Sequence, residues 1–300
     1  MRKCALHILV AITRFLSWFP LKVHYFWSGF IAWVLRSVAG YRRDVVAVNL
    51  GRSFPQVDCD TIKSYSKRFY THLAEIFTEM IWFSGSSPRR LKKSGILTVK
   101  NAKVLEKAYK SAPSVIVLYS HCGNWELLGG MPYCRCEDMD EFPVPVDSLR
   151  CVYKALTSKV SDEFFRKSRL AMNPEKDILL ESKHLLRYMI NHRNDPDPLV
   201  YVLGIDQSPY VSYVDIGSFM HQPTKAFLAP AEIAHKFGSA VLYMNYERVE
   251  RGHYEISFEE ICADGREMSA FDIIRSYYDK LEAEINRRPD NWLWSHKRWK

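Results

Sequence analysis

The spacing of apolar residues changes along the chain in steps that read as successive elements. Residues 60–83, DTIKSYSKRFYTHLAEIFTEMIWF, place Tyr65, Phe69, His72, Leu73, Ile76 and Met80 at helical intervals and predict one long amphipathic helix. A break rich in Ser, Pro and Arg follows at 85–90. ILTVKN alternates like a short strand, and NAKVLEKAY recurs like a helix. VIVLYS, at 115–120, is a short apolar run rich in β-branched residues, as in a strand buried on both faces. NWELLGG then predicts a helix start with Asn124 as its N-cap.

Residues 134–146 are irregular. CVYKAL predicts a strand, and 161–171 and 177–193 predict helices. PLVYVLGIDQSP repeats the earlier arrangement of an apolar run with polar residues at its carboxyl end. KAFLAPAEIAHKFG predicts a helix closed by Gly238. AVLYMNYERV and HYEISFEEI predict strands joined near Arg251-Gly252, and AFDIIRSYYDKLEAEINRR a closing helix. Strands that alternate with helices predict an α/β fold with a mostly parallel central sheet flanked by helices. In such sheets ligands gather beyond the carboxyl ends of strands. His121 and Asp206 both fall there.

The first 43 residues depart from this pattern. They are apolar and aromatic, but Arg14, Pro20 and Lys22 interrupt them. The charge-free stretch Val23 to Leu35 is shorter than the roughly 18 residues of a clean spanning helix. Seven cations and no acid precede Asp44, so 35 of the 42 basic residues remain to face 34 acids. All but one unit of the net charge of +8 therefore belongs to this segment. One or two helices lying in a membrane interface are expected, with Trp18, Phe26, Trp27 and Trp33 at headgroup level and the cations on lipid phosphates. A signal peptide, a single-pass anchor and a soluble helical hairpin are the alternatives. No nucleic-acid-binding motif accompanies the charge. The expected division is a membrane-associated segment, 1–43, and one α/β domain, 44–300.

Hydrophobic residues make up 47% and charged residues 25% of the 300, which suits a folded chain rather than a disordered one. The seven cysteines have no regular spacing, so reduced thiols are expected rather than a disulfide framework. Zinc on His121, Cys122, Cys134 and Cys136 does not match common ligand spacings.

The chemistry centres on SHCGNWELLGG. A histidine at a strand-to-helix turn can face a cleft, and Glu126, five residues on, can reach back to its ring. Such a carboxylate fixes the imidazole tautomer and leaves the other nitrogen free to take a proton from a hydroxyl. This is the base-and-orienter half of a triad, with no protein nucleophile. Cys122 beside His121 raises the alternative of a thiol nucleophile, although adjacent turn residues usually point apart.

SHCGNWELLGG resembles the H-x4-D/E motif of acyltransferases that acylate lipid hydroxyls. It is closer still to the lipid A biosynthesis (late) acyltransferases, whose motif often reads H-x-G-N-W-E. YRRDVVAVNLGRSFP (41–55), GIDQSP (204–209) and NWLWSHKRWK (291–300) resemble further stretches of that family, in the same order. CVYKALTSK resembles its V-Y-[RK]-P-L segment, with Ala155 where proline is usual. The arginine that follows falls on Arg169, with Ala171 replacing a glycine, and Arg166 is close enough to compete.

The resemblance implies His121 as general base with Glu126 as its partner, and Asn124, Arg169, Asp206 and Gln207 as substrate-binding residues. It implies transfer of a fatty acyl group from acyl carrier protein, or from acyl-CoA as co-substrate, to a hydroxyl of a phosphorylated glycolipid, a lipid A precursor. No metal or further cofactor is implied, and the location is the cytoplasmic face of the inner membrane. Another lipid acceptor, a hydrolase built on Cys122, and a non-catalytic peripheral membrane protein are the rivals. In the tail, Trp292, Trp294 and Trp299 are expected to pack, and the cations between them to face the site or the membrane.

Overall fold

The computed structural model describes residues 2–209 and 213–299, with side chains from Leu6 onward. Helices α1 (Arg2–Ser17), α2 (Leu21–Trp33), α3 (Arg43–Ser53), α4 (Cys59–Ser84) and α5 (Pro88–Ser94) lead to strand β1 (Leu97–Val99). Then come α6 (Ala102–Ser111), β2 (Ser114–Tyr119), a 3-10 segment Trp125–Tyr133, β3 (Arg135–Cys136), β4 (Leu149–Tyr153) and α7 (Lys159–Arg169). They are followed by β5 (Leu179–Glu181), α8 (Leu185–His192), β6 (Leu199–Gly204), β7 (Tyr213–Phe219) and β8 (Gln222–Phe227). The chain closes with α9 (Ala229–Phe237), β9 (Ala240–Glu250), β10 (His253–Cys262) and α10 (Ala270–Arg287).

Eight strands form one sheet in the order β3-β1-β10-β9-β2-β6-β4-β5. Every neighbouring pair is parallel except β9 with β10. The carboxyl ends of β2, β6 and β4 therefore lie side by side. The pleat of β2 shows why its run is apolar throughout. Ile116 and Leu118 enter the core on one face, with Phe69, Tyr201 and Tyr277, while Val115 and Val117 enter the other, with Phe83, Val202 and Leu242.

Three expectations need correction. The helix expected over 177–193 begins instead as β5, because Leu179 and Leu180 complete the sheet edge beside β4, and only 185–192 is α-helical. The stretch after Asn124 is a 3-10 segment that contains Pro132, which cannot donate in a regular helix. Lys225-Ala226-Phe227, expected in a helix, belong to the hairpin β7–β8, whose half-polar strands carry no strong apolar signal.

The N-terminal helices are amphipathic in reverse. The buried residues among those described in α1 and α2 are Thr13, Ser17, His24, Ser28 and Ala32. Ile8, Ile12, Phe15, Trp18, Phe26, Trp27, Phe30 and Trp33 point outward and are each more than half exposed. Neither helix alone is long and apolar enough to cross a membrane; the two meet at a bend of 119°. The pair is fastened inward by Tyr25, whose hydroxyl donates to Glu79 of α4 at 2.9 Å, and by Arg90, which donates to the carbonyls of Ser17 and Phe19.

Candidate active site

β2 and β6 run in parallel with Tyr119 opposite Gly204. The same offset carried two residues past the strand ends sets His121 beside Asp206. Asp206 is 2% exposed and accepts three hydrogen bonds. Its Oδ1 takes the Nδ1–H of His121 at 2.7 Å, and its Oδ2 takes the His121 backbone N–H at 3.0 Å and Trp292 Nε1–H at 2.7 Å. An ionised carboxylate only accepts, so the imidazole proton sits on Nδ1 and the Nε2 lone pair is left for other work. Gln207 Nε2 lies 3.2 Å from that Nε2 and donates to it.

Burial disfavours charge on both partners, but the attraction and hydrogen bond between them win. His121 is raised above its ordinary value, with the Glu126 charge adding to the effect. Asp206 is depressed to about 2. The result is a more basic imidazole whose tautomer is fixed.

The ring's partner is thus Asp206 rather than the expected Glu126. Glu126 points instead at Arg169, which donates from Nε and Nη2 at 2.9 Å each, and it also accepts Trp125 Nε1–H at 3.1 Å. The turn explains the divergence. Gly123 adopts a left-handed φ of 61°, and a Cβ there would fall 2.8 Å from Tyr246. This tight bend turns the chain away before the 3-10 segment begins. A Cβ on Gly129 would fall 2.1 Å from the Arg169 carbonyl oxygen, so glycine lets the end of α7 close onto that segment. That approach brings Arg169 to Glu126.

A cavity of about 480 Å³ lies over these groups. His121, Trp125, Glu126, Arg169 and Gln207 line it, and the carboxyl ends of β2, β4 and β6 form its floor through Tyr119, Tyr153 and Gly204. Arg169, not Arg166, faces this cavity; Arg166 donates to the Tyr153 hydroxyl at 3.3 Å. Asn124 caps the 3-10 segment by accepting from Glu126 N–H at 3.2 Å, as expected of an N-cap. It is fully buried and donates to Glu79 at 2.8 Å, so it supports the turn from beneath rather than lining the cavity. Cys122 is also fully buried, in the core on the far side of the turn, and burial pushes its thiol well up. Cys134 and Cys136 pack against the opposite face of the sheet from Cys122, so the four candidate zinc ligands do not converge.

The carboxyl-terminal stretch closes the site. Cys122 and Trp292 form an antiparallel bridge, and Asn291 accepts the N–H groups of Gly123 and Arg248. His296 accepts Ser208 N–H at 3.1 Å, and burial lowers it to about 4. Arg298, expected to face the site or a membrane, is 2% exposed and donates to the Lys225 carbonyl and the Tyr278 hydroxyl. Asn49 of α3 donates to the carbonyls of Trp294 and His296, and Arg42 to that of Ser295. The stretches 41–55, 204–209 and 291–299 thus pack on one another around His121.

The sequence did not single out Trp292 as an Asp206 donor, nor Glu79 as the buried anchor of Asn124. For Glu79 a signal existed: an acid on the apolar face of a long helix needs a partner inside. The sequence profile described as "Bacterial lipid A biosynthesis acyltransferase" matches residues 1–300, the whole chain. No curated protein gives a significant match.

Proposed function

The chain belongs to the bacterial lipid A biosynthesis acyltransferases and is an acyltransferase, and from that premise we propose a direct transfer in which His121 is the general base. The donor is an acyl thioester on acyl carrier protein, and the acceptor is a hydroxyl of a lipid A precursor. The acceptor hydroxyl displaces the Gln207 amide from Nε2 and gives its proton to the imidazole. Its oxygen attacks the thioester carbonyl, and the C–S bond breaks as the tetrahedral intermediate collapses. The leaving thiolate takes the proton from the imidazolium. Asp206 holds the tautomer and balances the imidazolium charge. Arg169, fixed by Glu126, turns its Nη1 edge to the oxygen on which charge develops. A thioester is already activated, so positioning and one base suffice without a further cofactor.

The observation that carries this reading is the buried Asp206–His121 pair, with Nε2 facing the cavity and, among the described residues, Gln207 rather than a nucleophile as its side-chain partner. The reverse-amphipathic N-terminal helices support attachment to a membrane surface, where a lipid acceptor resides. The test is transfer by purified protein from acyl carrier thioester to a tetra-acylated lipid A precursor, read by mass spectrometry. His121→Ala should fall by roughly 10³-fold while staying folded. A folded variant of full activity would refute the mechanism.

A further inference from the structure

A second cavity of about 490 Å³ lies on the other side of α7 from the catalytic one. Arg14 of α1 and Arg166 and Lys167 of α7 line it, against a single acid, Glu163. Glu163 lies 3.9 Å from Lys167 and also attracts Arg166, so this one acid is shared among three cations in the cavity wall. Its apolar part comes from Val10, Phe164 and Leu170.

The hydroxyls in the wall are not equivalent. Thr13 donates to the Leu9 carbonyl and Ser84 to the Ile81 carbonyl, as helix hydroxyls often do. Ser168 is 3% exposed, and its Oγ has no hydrogen-bond partner. Buried hydroxyls are rarely left so. Clustered cations with an unused hydroxyl donor match the oxygens of a phosphate, and the adjoining Val10, Phe164 and Leu170 match a lipid.

The two cavities are linked. Tyr153 lines the catalytic cavity, and its hydroxyl accepts from Arg166, which lines the second. Phe165 and Arg169 of α7 face one cavity while Arg166, Lys167 and Ser168 face the other, so about one helix diameter, ~10 Å, separates them.

We propose that the second cavity is a subsite for a lipid-borne phosphate monoester, held by Arg14, Arg166, Lys167 and the Ser168 hydroxyl. In the fullest form, which rests on the acyl transfer proposed above, the phosphate is the acceptor's own. It anchors the glycolipid across α7 while its hydroxyl reaches His121. The other source is a phosphate monoester lipid of the bilayer.

The test uses the full-length protein, an Arg166→Gln/Lys167→Gln variant and, as the mildest change, Ser168→Ala. The first arm measures transfer to a phosphorylated acceptor and to the same acceptor after phosphatase treatment. The double variant should raise KM for the phosphorylated acceptor roughly tenfold with little change in kcat, and leave KM for the dephosphorylated one in place. Ser168→Ala should raise it a few-fold. The second arm measures cosedimentation with phosphatidylcholine vesicles containing phosphatidic acid, or phosphatidylglycerol at matched charge. A lost preference for phosphatidic acid with an unmoved acceptor KM assigns the subsite to a bilayer lipid. Variants that match the parent in both arms overturn the subsite. A parent protein that acylates neither acceptor refutes the transfer reading instead, and the vesicle arm still decides the subsite.

Discussion

Replacing Asp206 by asparagine tests the site with almost no change of shape. The carboxylate meets three donors: His121 Nδ1–H on Oδ1, and the His121 backbone N–H and Trp292 Nε1–H on Oδ2. An asparagine has one carbonyl oxygen and one NH₂ group. If its oxygen faces Nδ1, the NH₂ is driven against two N–H groups in a buried place. The opposite orientation satisfies both of those donors and turns the NH₂ toward Nδ1. It then forces the imidazole proton onto Nε2, where the base is needed. Two donors outweigh one, so the second orientation wins and the base is lost. General-base catalysis contributes about 10²–10⁴-fold, so a fall of roughly 10³ in kcat is expected, or about 4 kcal/mol.

The assay is single-turnover transfer across pH, with ¹⁵N shifts of the labelled imidazole reporting the tautomer. Asp206 raises the His121 pKa, and the basic form exists only above that pKa. The parent's kcat/KM should therefore rise with pH through a midpoint above the usual ~6.5. The midpoint of any residual activity in Asp206→Asn should move down. A variant within tenfold of the parent, with its Nδ1 proton and pH midpoint unmoved, would refute the reasoning.

Other outcomes follow from the same geometry. Cys122→Ala should keep transfer activity within a few-fold and lose about 1 kcal/mol of stability as a small cavity opens; loss of an acyl–enzyme adduct trapped in the parent would revive the thiol nucleophile. Burial raises Glu79 to about 7, against about 4.5 when unfolded, so its contribution is complete below pH 4.5 and fades as pH rises toward 7. Chemical denaturation should show stability declining by about 3 kcal/mol over that window from this group, and Glu79→Gln should flatten the decline. Trp18→Glu/Phe26→Glu, at two side chains each 76% exposed, should weaken vesicle binding by about 2–4 kcal/mol while leaving the thermal midpoint in detergent nearly unchanged.

Much of the fold could be read because its strongest elements carry their period within themselves. Burial on both faces demands an unbroken apolar run at β2 and β6, and one-sided burial demands the stripe of α4. What escaped notice depends on neighbours. Leu179 and Leu180 become an edge strand only because β4 has a free side. The hairpin β7–β8 hides behind polar positions, and Arg298 is buried because the Tyr278 hydroxyl and the Lys225 carbonyl receive it. In α1 and α2 the outward placement of Trp18, Phe26, Trp27 and Trp33 was expected, but the polar face that meets the protein, with Thr13, Ser17, His24 and Ser28, was not.

The sequence by itself placed His121 and Asp206 at the carboxyl ends of two apolar strands, because an apolar run that stops at polar residues marks a strand's end. It could not choose which carboxylate meets the imidazole. Glu126, five residues away, was the near candidate, while Asp206 is 85 residues away. The tertiary structure decided this through the register of β2 against β6. Tyr119 stands opposite Gly204, so Asp206 lies beside His121, while the left-handed turn at Gly123 carries Glu126 off to Arg169. Proximity in the chain counts for little when a strand ladder fixes the neighbour.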